Sequence, residues 1–168
     1  MKKLVFASGA VLLAALVSAA AEEMKSTATI EARSGSKVSG TATATQSDGT
    51  VKIVVSAEGL TEGLHAVHIH QKGDCSAPDA MSAGGHFNPT NEKHGAPTAP
   101  EHHAGDFGNM KVGPDGKGTL EIESQKLTVA PGPNSVVGRA IIIHEKADDF
   151  VTQPTGNAGG RVGCGVFK

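Results

Sequence analysis

The 168-residue chain has no tryptophan and no tyrosine, only five phenylalanines and only two cysteines. Its core must then be built from valine, isoleucine, leucine and alanine. A basic patch interleaved with aromatics is absent, which removes nucleic-acid binding from the candidate functions. Also absent are a CxxC pair of the kind a copper-donor module would use and, after residue 21, any segment of convincing helical period. Its apolar N-terminal run, Leu4 to Val17, is too short for a comfortable transmembrane span.

Histidine is abundant by contrast. Six of the eight, with one aspartate, are spread from residue 68 to residue 144: His68, His70, His86, His94, His103, Asp106 and His144. Neutral imidazole binds zinc and copper well, and seven candidate ligands exceed what one ion needs, so two metals sharing a ligand is the natural reading. In Gly63-Leu64-His65-Ala66-Val67-His68-Ile69-His70 the histidines alternate with Val67 and Ile69. On a strand this sends Val67 and Ile69 into a core and projects His68 and His70 from the other face.

Alternation stops after His70, and residues 71–105 hold nine glycines and prolines together with His86, His94, His102 and His103. A segment this long and irregular is usually functional or disordered, and its compact phrases favour a loop organised by metal. His86, His94, His103 and Asp106 make a four-ligand set with no open position, as in a structural zinc site. His68, His70, a shared His86 and His144 make a four-nitrogen set that suits Cu(II); two zinc ions are the alternative partition.

Strand-like segments lie near 26–34, 37–46, 50–58, 63–70, 106–113, 117–124, 138–144 and 162–167, with tight turns at Ser47-Asp48-Gly49 and Gly113-Pro114-Asp115-Gly116. Eight antiparallel strands forming an all-β sandwich or flattened barrel are expected, with two long loops, 71–105 and 145–160, carrying the chemistry.

Together the phrases GLHAVHIH, GGHFNP, KHGAP, HAGDFGN, HEKADD and GNAGGRVGCGV resemble copper/zinc superoxide dismutases, in that family's order and at family-like separations. A Greek-key topology follows from this resemblance, the family being itself a known example of the sandwich architecture. The resemblance implies copper on His68, His70, His86 and His144, and zinc on His86, His94, His103 and Asp106, one of each per chain. It implies disproportionation of superoxide to dioxygen and hydrogen peroxide, with copper alternating between two oxidation states. His86 would be the bridging imidazole that takes and returns a proton, and Arg161 would dock the anion. Asp148 resembles a carboxylate bracing one copper and one zinc histidine, His68 and His94, while Asp149 reads as a solvated neighbour. His65 resembles a non-ligand histidine that braces the strands through backbone hydrogen bonds, and Thr155 a residue narrowing the channel. His102 has no ligand role in that pattern.

Met1-Lys2-Lys3, the apolar run and Ala19-Ala20-Ala21 before Glu22-Glu23 read as a signal peptide over residues 1–21, leaving a single domain over 22–168 that has no membrane attachment once the leader is cleaved. Export to a periplasm or beyond the cell puts Cys75 and Cys164 in an oxidising compartment, where a disulfide closing an 89-residue loop is expected. Without Lys2 and Lys3 the chain carries 13 basic and 17 acidic residues, a net charge of −4 that would repel an anionic substrate. Steering must then come from local positive potential focused by the metals and Arg161; Lys72, Lys93 and Lys146 are candidates to replace the steering charges of the eukaryotic pattern, each also readable as a solvated surface lysine. The stretch from Cys75 to His86 is longer than in the eukaryotic pattern, which leaves a homodimer contact open; the copper donor is not legible. The rival function is a dismutase-like domain that handles copper and zinc, or acts as a chaperone, without turnover.

Overall fold

Alternating burial along each strand determines which side chains meet inside. In β1 (Met24–Ala32) Ser26, Ala28 and Ile30 turn inward, in β2 (Ser39–Ser47) Ala42 and Ala44 do so, and in β3 (Thr50–Glu58) Val51, Ile53, Val55 and Ala57. β4 (Gly63–His70), β5 (Asp106–Val112), β6 (Gly118–Ser124), β7 (Ala140–His144) and β8 (Arg161–Val166) complete the set. The structure, a computed structural model, describes residues 23–168; the leader expected over 1–21 lies outside the described residues.

The strands are antiparallel and close into a barrel in the order β1-β2-β3-β6-β5-β4-β7-β8, with β8 returning to β1. Both tight turns form: Asp48 and Gly49 take φ of 48° and 79° between β2 and β3, the left-handed pair a two-residue hairpin requires. Because β6 and β5 lie between β3 and β4, the connection from β3 crosses the barrel end, which makes the arrangement a Greek key. Strand boundaries differ from expectation by up to two residues. β7 begins at Ala140 rather than 138, since Gly138 bends the chain with φ of 78°. One further difference concerns the core, where Phe87, Phe107 and Phe167 are buried among the aliphatic side chains.

From Val67 onward β4 is buried on both faces, as are His65 and Ala66. Val67 and Ile69 enter the main core, while His68 and His70 face a covering made by the two long loops. The first loop returns alongside the end of β4: Phe87 N–H donates to Ile69 O at 2.8 Å, Ile69 N–H to Gly105 O at 2.9 Å, and Gln71 N–H to Gly85 O at 2.9 Å. Gly105 permits this approach, because a Cβ there would collide with Ile69 O. The second loop attaches through Ala66 N–H donating to Lys146 O at 2.9 Å. A disulfide joins Cys75 to Cys164 and ties the first loop to β8.

The two cysteines stand 89 residues apart, so the bond removes much of the unfolded chain's freedom. Replacing both by serine is expected to lower the unfolding free energy of the metal-free protein by roughly 3 to 5 kcal/mol, measured by urea denaturation against the oxidised parent.

Candidate metal centre

Two groups of potential ligands lie side by side beneath the loops. His68, His70, His86 and His144 form one, and His86, His94, His103 and Asp106 the other; in each, the candidate ligand atoms lie within 4.8 Å of one another, and every member is buried. His86 belongs to both. Its Nδ1 lies 2.9 Å from Asp106 Oδ1 in the second group. Its Nε2 is buried without a partner.

The pattern of unpaired atoms tests whether these groups fit metal ions. Among the described residues, the buried side-chain atoms without a hydrogen bond are His68 Nδ1, His70 Nε2, His86 Nε2, His94 Nδ1 and His144 Nε2. Such nitrogens are costly in a dry interior unless a cation takes the lone pair. Four of them belong to the first group. The other ring nitrogen of each imidazole is held. His68 Nε2 and His94 Nε2 each lie 2.8 Å from a different oxygen of Asp148, His70 Nδ1 lies 2.8 Å from Gly84 O, and His144 Nδ1 contacts Gly159 O more loosely at 3.4 Å. With hydrogens on those nitrogens, the opposite lone pairs are free for an ion. In the second group three Nδ1 atoms surround one carboxylate: His94 Nδ1 is 3.0 Å from Asp106 Oδ2, and His103 Nδ1 is 3.3 Å from Asp106 Oδ1 and 3.5 Å from His86 Nδ1. The contact from His94 Nδ1 is close but not directed as a hydrogen bond, which is why that atom also counts as unpaired. Both groups therefore fit metal cations.

Electrostatics agree with this. Burial, the largest influence, lowers the pKa of His68 and His144, pushes His86 down to about 4 and His70 down to about 2. These rings stay neutral and ready to coordinate. Burial also acts against charge on His94, but the carboxylates of Asp106 and Asp148, one beside each ring nitrogen, outweigh it and raise the pKa to about 9. His68, with one carboxylate partner, does not overcome burial. In the metal-free chain a proton on His94 thus takes the electrostatic place of a cation. Burial would raise Asp106 and Asp148, yet the histidines around them hold both well below the usual carboxylate range.

A cleft of roughly 450 Å³ opens onto the first group and is lined by His70, His86, His144, Thr155 and Arg161 among others. Arg161 is fixed from behind: Nη1 donates to Ala80 O at 2.8 Å and Nη2 to Gly84 O at 2.7 Å. These carbonyls flank a short 3-10 turn, Met81–Ala83.

Residues 38–167 match the family model for copper/zinc superoxide dismutase. The chain belongs to the copper/zinc superoxide dismutase family. The solved crystal structure of the clock protein EA4 is similar to it, with a TM-score of 0.77 and 36% sequence identity, covering 85% of this chain and 92% of that one.

Within this dismutase-family site, His65 Nδ1 lies 2.8 Å from His144 O, and Thr61 Oγ1 lies 3.2 Å from Nε2, so His65 braces β4 against β7. His102 stays outside both groups; its backbone N–H donates to Glu92 Oε2 and its carbonyl accepts from Lys126 Nζ. Asp149 is more than a solvated neighbour, since it accepts from Val151 N–H, Thr152 N–H and the Thr152 hydroxyl. Lys72, Lys93 and Lys146 are exposed, and none lines the cleft. Sequence reasoning missed several supporting residues. Gln153 clasps His94 at both backbone groups, each at 2.8 Å, and Asn109 does the same for Asp148 at 2.7 and 3.0 Å. Gly84 and Gly156 were missed as well. A Cβ on Gly156 would overlap Asp148 Oδ1 and approach His94 Nε2 to 2.6 Å. The GNAGG phrase held that signal, although nothing in it says what the glycine faces.

Gly156→Ala is expected to displace the Asp148 to His94 hydrogen bond and to weaken zinc retention about tenfold, the lower range for loss of a ligand-orienting partner, as measured by competition with a zinc chelator. A second expectation concerns the metal-free protein. Unfolded histidines protonate near 6.5 whereas the four depressed ones do not in the fold, so the unfolded state binds more protons as pH falls and stability declines from about pH 6.5 downward. His94 acts oppositely: its protonated form favours the fold, and that contribution is lost as pH rises through about 9. Thermal unfolding of metal-free protein across pH should show greatest stability near neutrality, and metal loading should protect it on the acid side.

Proposed function

We propose that this family member is an exported enzyme that disproportionates superoxide, two superoxide anions and two protons giving dioxygen and hydrogen peroxide. The observation that carries the reading is the set of unpaired buried nitrogens on His68, His70, His86 and His144 beside a cleft that also presents Arg161. Copper on those four nitrogens would supply the one-electron couple the reaction needs, with zinc on His86, His94, His103 and Asp106 holding the far side of His86. Arg161 attracts the anion and orients it toward the four-histidine group, its guanidinium kept in place by Ala80 and Gly84. His86 Nε2 is the atom suited to hold a proton in one half-reaction and return it in the next, because its Nδ1 remains fixed within the second group meanwhile. Asp148 keeps His68 and His94 in fixed orientation throughout, joining the two groups by one carboxylate. The leader-like pattern of residues 1–21 and the disulfide favour a periplasmic or secreted location.

Metal handling without turnover is the rival, favoured by the similarity to a protein named for a clock rather than a reaction. Metal analysis of the purified protein, paired with superoxide disproportionation before and after copper removal, separates the two. One copper and one zinc per chain, with activity lost on copper removal and regained on its return, is expected. Zinc alone with no activity after copper supply would favour the rival. The ligand partition has its own test: His144→Ala should abolish activity with zinc retained, and Asp106→Ala should lose zinc first. Equal loss of both metals in both variants would contradict the partition.

A further inference from the structure

The cleft has to admit an anion into a chain of net negative charge, and among the described residues its lining contains two formally charged side chains when the histidines are neutral. One is Arg161 and the other is Asp79. Asp79 is exposed, and its Oδ1 accepts the Met81 N–H at 3.0 Å, which pins the start of the 3-10 turn. The next residue, Ala80, takes a left-handed φ of 57° and presents its carbonyl to Arg161 Nη1 at 2.8 Å. Asp79 is therefore one residue from the group that holds the guanidinium, and it opposes that positive charge inside one cleft.

We infer that Asp79 sets the anion affinity of the cleft: its carboxylate partly offsets Arg161, so that the cleft attracts an anion less strongly than Arg161 alone would. This inference rests on the superoxide reading and adds to it a charge-setting residue that does not touch the reacting atoms. Lys72, Lys93 and Lys146 do not line the cleft, so the side-chain field inside it is that of Arg161 reduced by Asp79, to which bound metal ions would add.

The test compares the copper- and zinc-loaded protein with its Asp79→Asn and Asp79→Ala variants. Asparagine keeps an oxygen for the Met81 N–H and removes only the charge, whereas alanine removes both. Azide is titrated against the visible copper spectrum, and kcat/KM for superoxide is measured over a range of ionic strength. Asp79→Asn should bind azide roughly two- to five-fold more tightly at low salt, the range expected for one charge across a partly hydrated cleft. Its kcat/KM should rise similarly, and both gains should fade at high salt. Asp79→Ala should gain less, since the turn behind Arg161 loosens. Azide affinity and salt dependence in Asp79→Asn equal to those of the parent would overturn the inference while leaving the functional reading intact. A loaded protein that binds azide but does not turn over superoxide would overturn the functional reading, and the azide titration would still decide the role of Asp79. A chain that takes up no copper would overturn both.

Discussion

A buried imidazole nitrogen must give its lone pair to something, and among the described residues this fold gathers five such nitrogens without a hydrogen-bond partner. Much of the surrounding structure serves that constraint. The opposite nitrogen of each of these rings is taken by Asp148, Gly84 O, Asp106 or Gly159 O, which fixes the rotation of the ring and selects the lone pair left over. An apolar barrel alone would leave these groups at a large desolvation cost. Cations held there would offset that cost, and their binding would then be coupled to the folding of the loops.

The barrel and the loops have different sources of order. The barrel closes on itself, has no free edge, and fills its interior with aliphatic residues and three phenylalanines. The loops have little core of their own. They hang from β4 and β8 by a few backbone hydrogen bonds, the Cys75 to Cys164 link, and polar clasps such as Gln153 on His94. Asp148 reaches from the second loop to β4 and to the first loop at once.

Local pattern made the barrel and the ligands legible. Alternation around Val67 and Ile69 says that His68 and His70 share a face, and alternation along β3 identifies its core residues, all without tertiary information. Family resemblance then separated His103 from His102 and assigned Asp148. What stayed hidden were interactions defined by partners far along the chain. A glycine's sequence does not reveal that Asp148 presses on Gly156, nor that Gly105 lies against Ile69 O. Backbone acceptors such as Ala80 O and Gly84 O have no side-chain signature at all. Long-range charge was legible in part: the sequence pointed to Arg161, which lines the cleft, but not to Asp79 beside it.

The Gly84 carbonyl accepts two hydrogen bonds, from His70 Nδ1 and from Arg161 Nη2. A single oxygen therefore sets both the tilt of a candidate copper ligand and the reach of the candidate anion dock. Gly84 lies in the segment anchored at Cys75, so a shift there moves ligand and dock in concert, as two hands on one lever. A backbone change at Gly84 would therefore turn the His70 ring and shift the Arg161 guanidinium together, whereas a side-chain charge elsewhere in the segment can change without moving either.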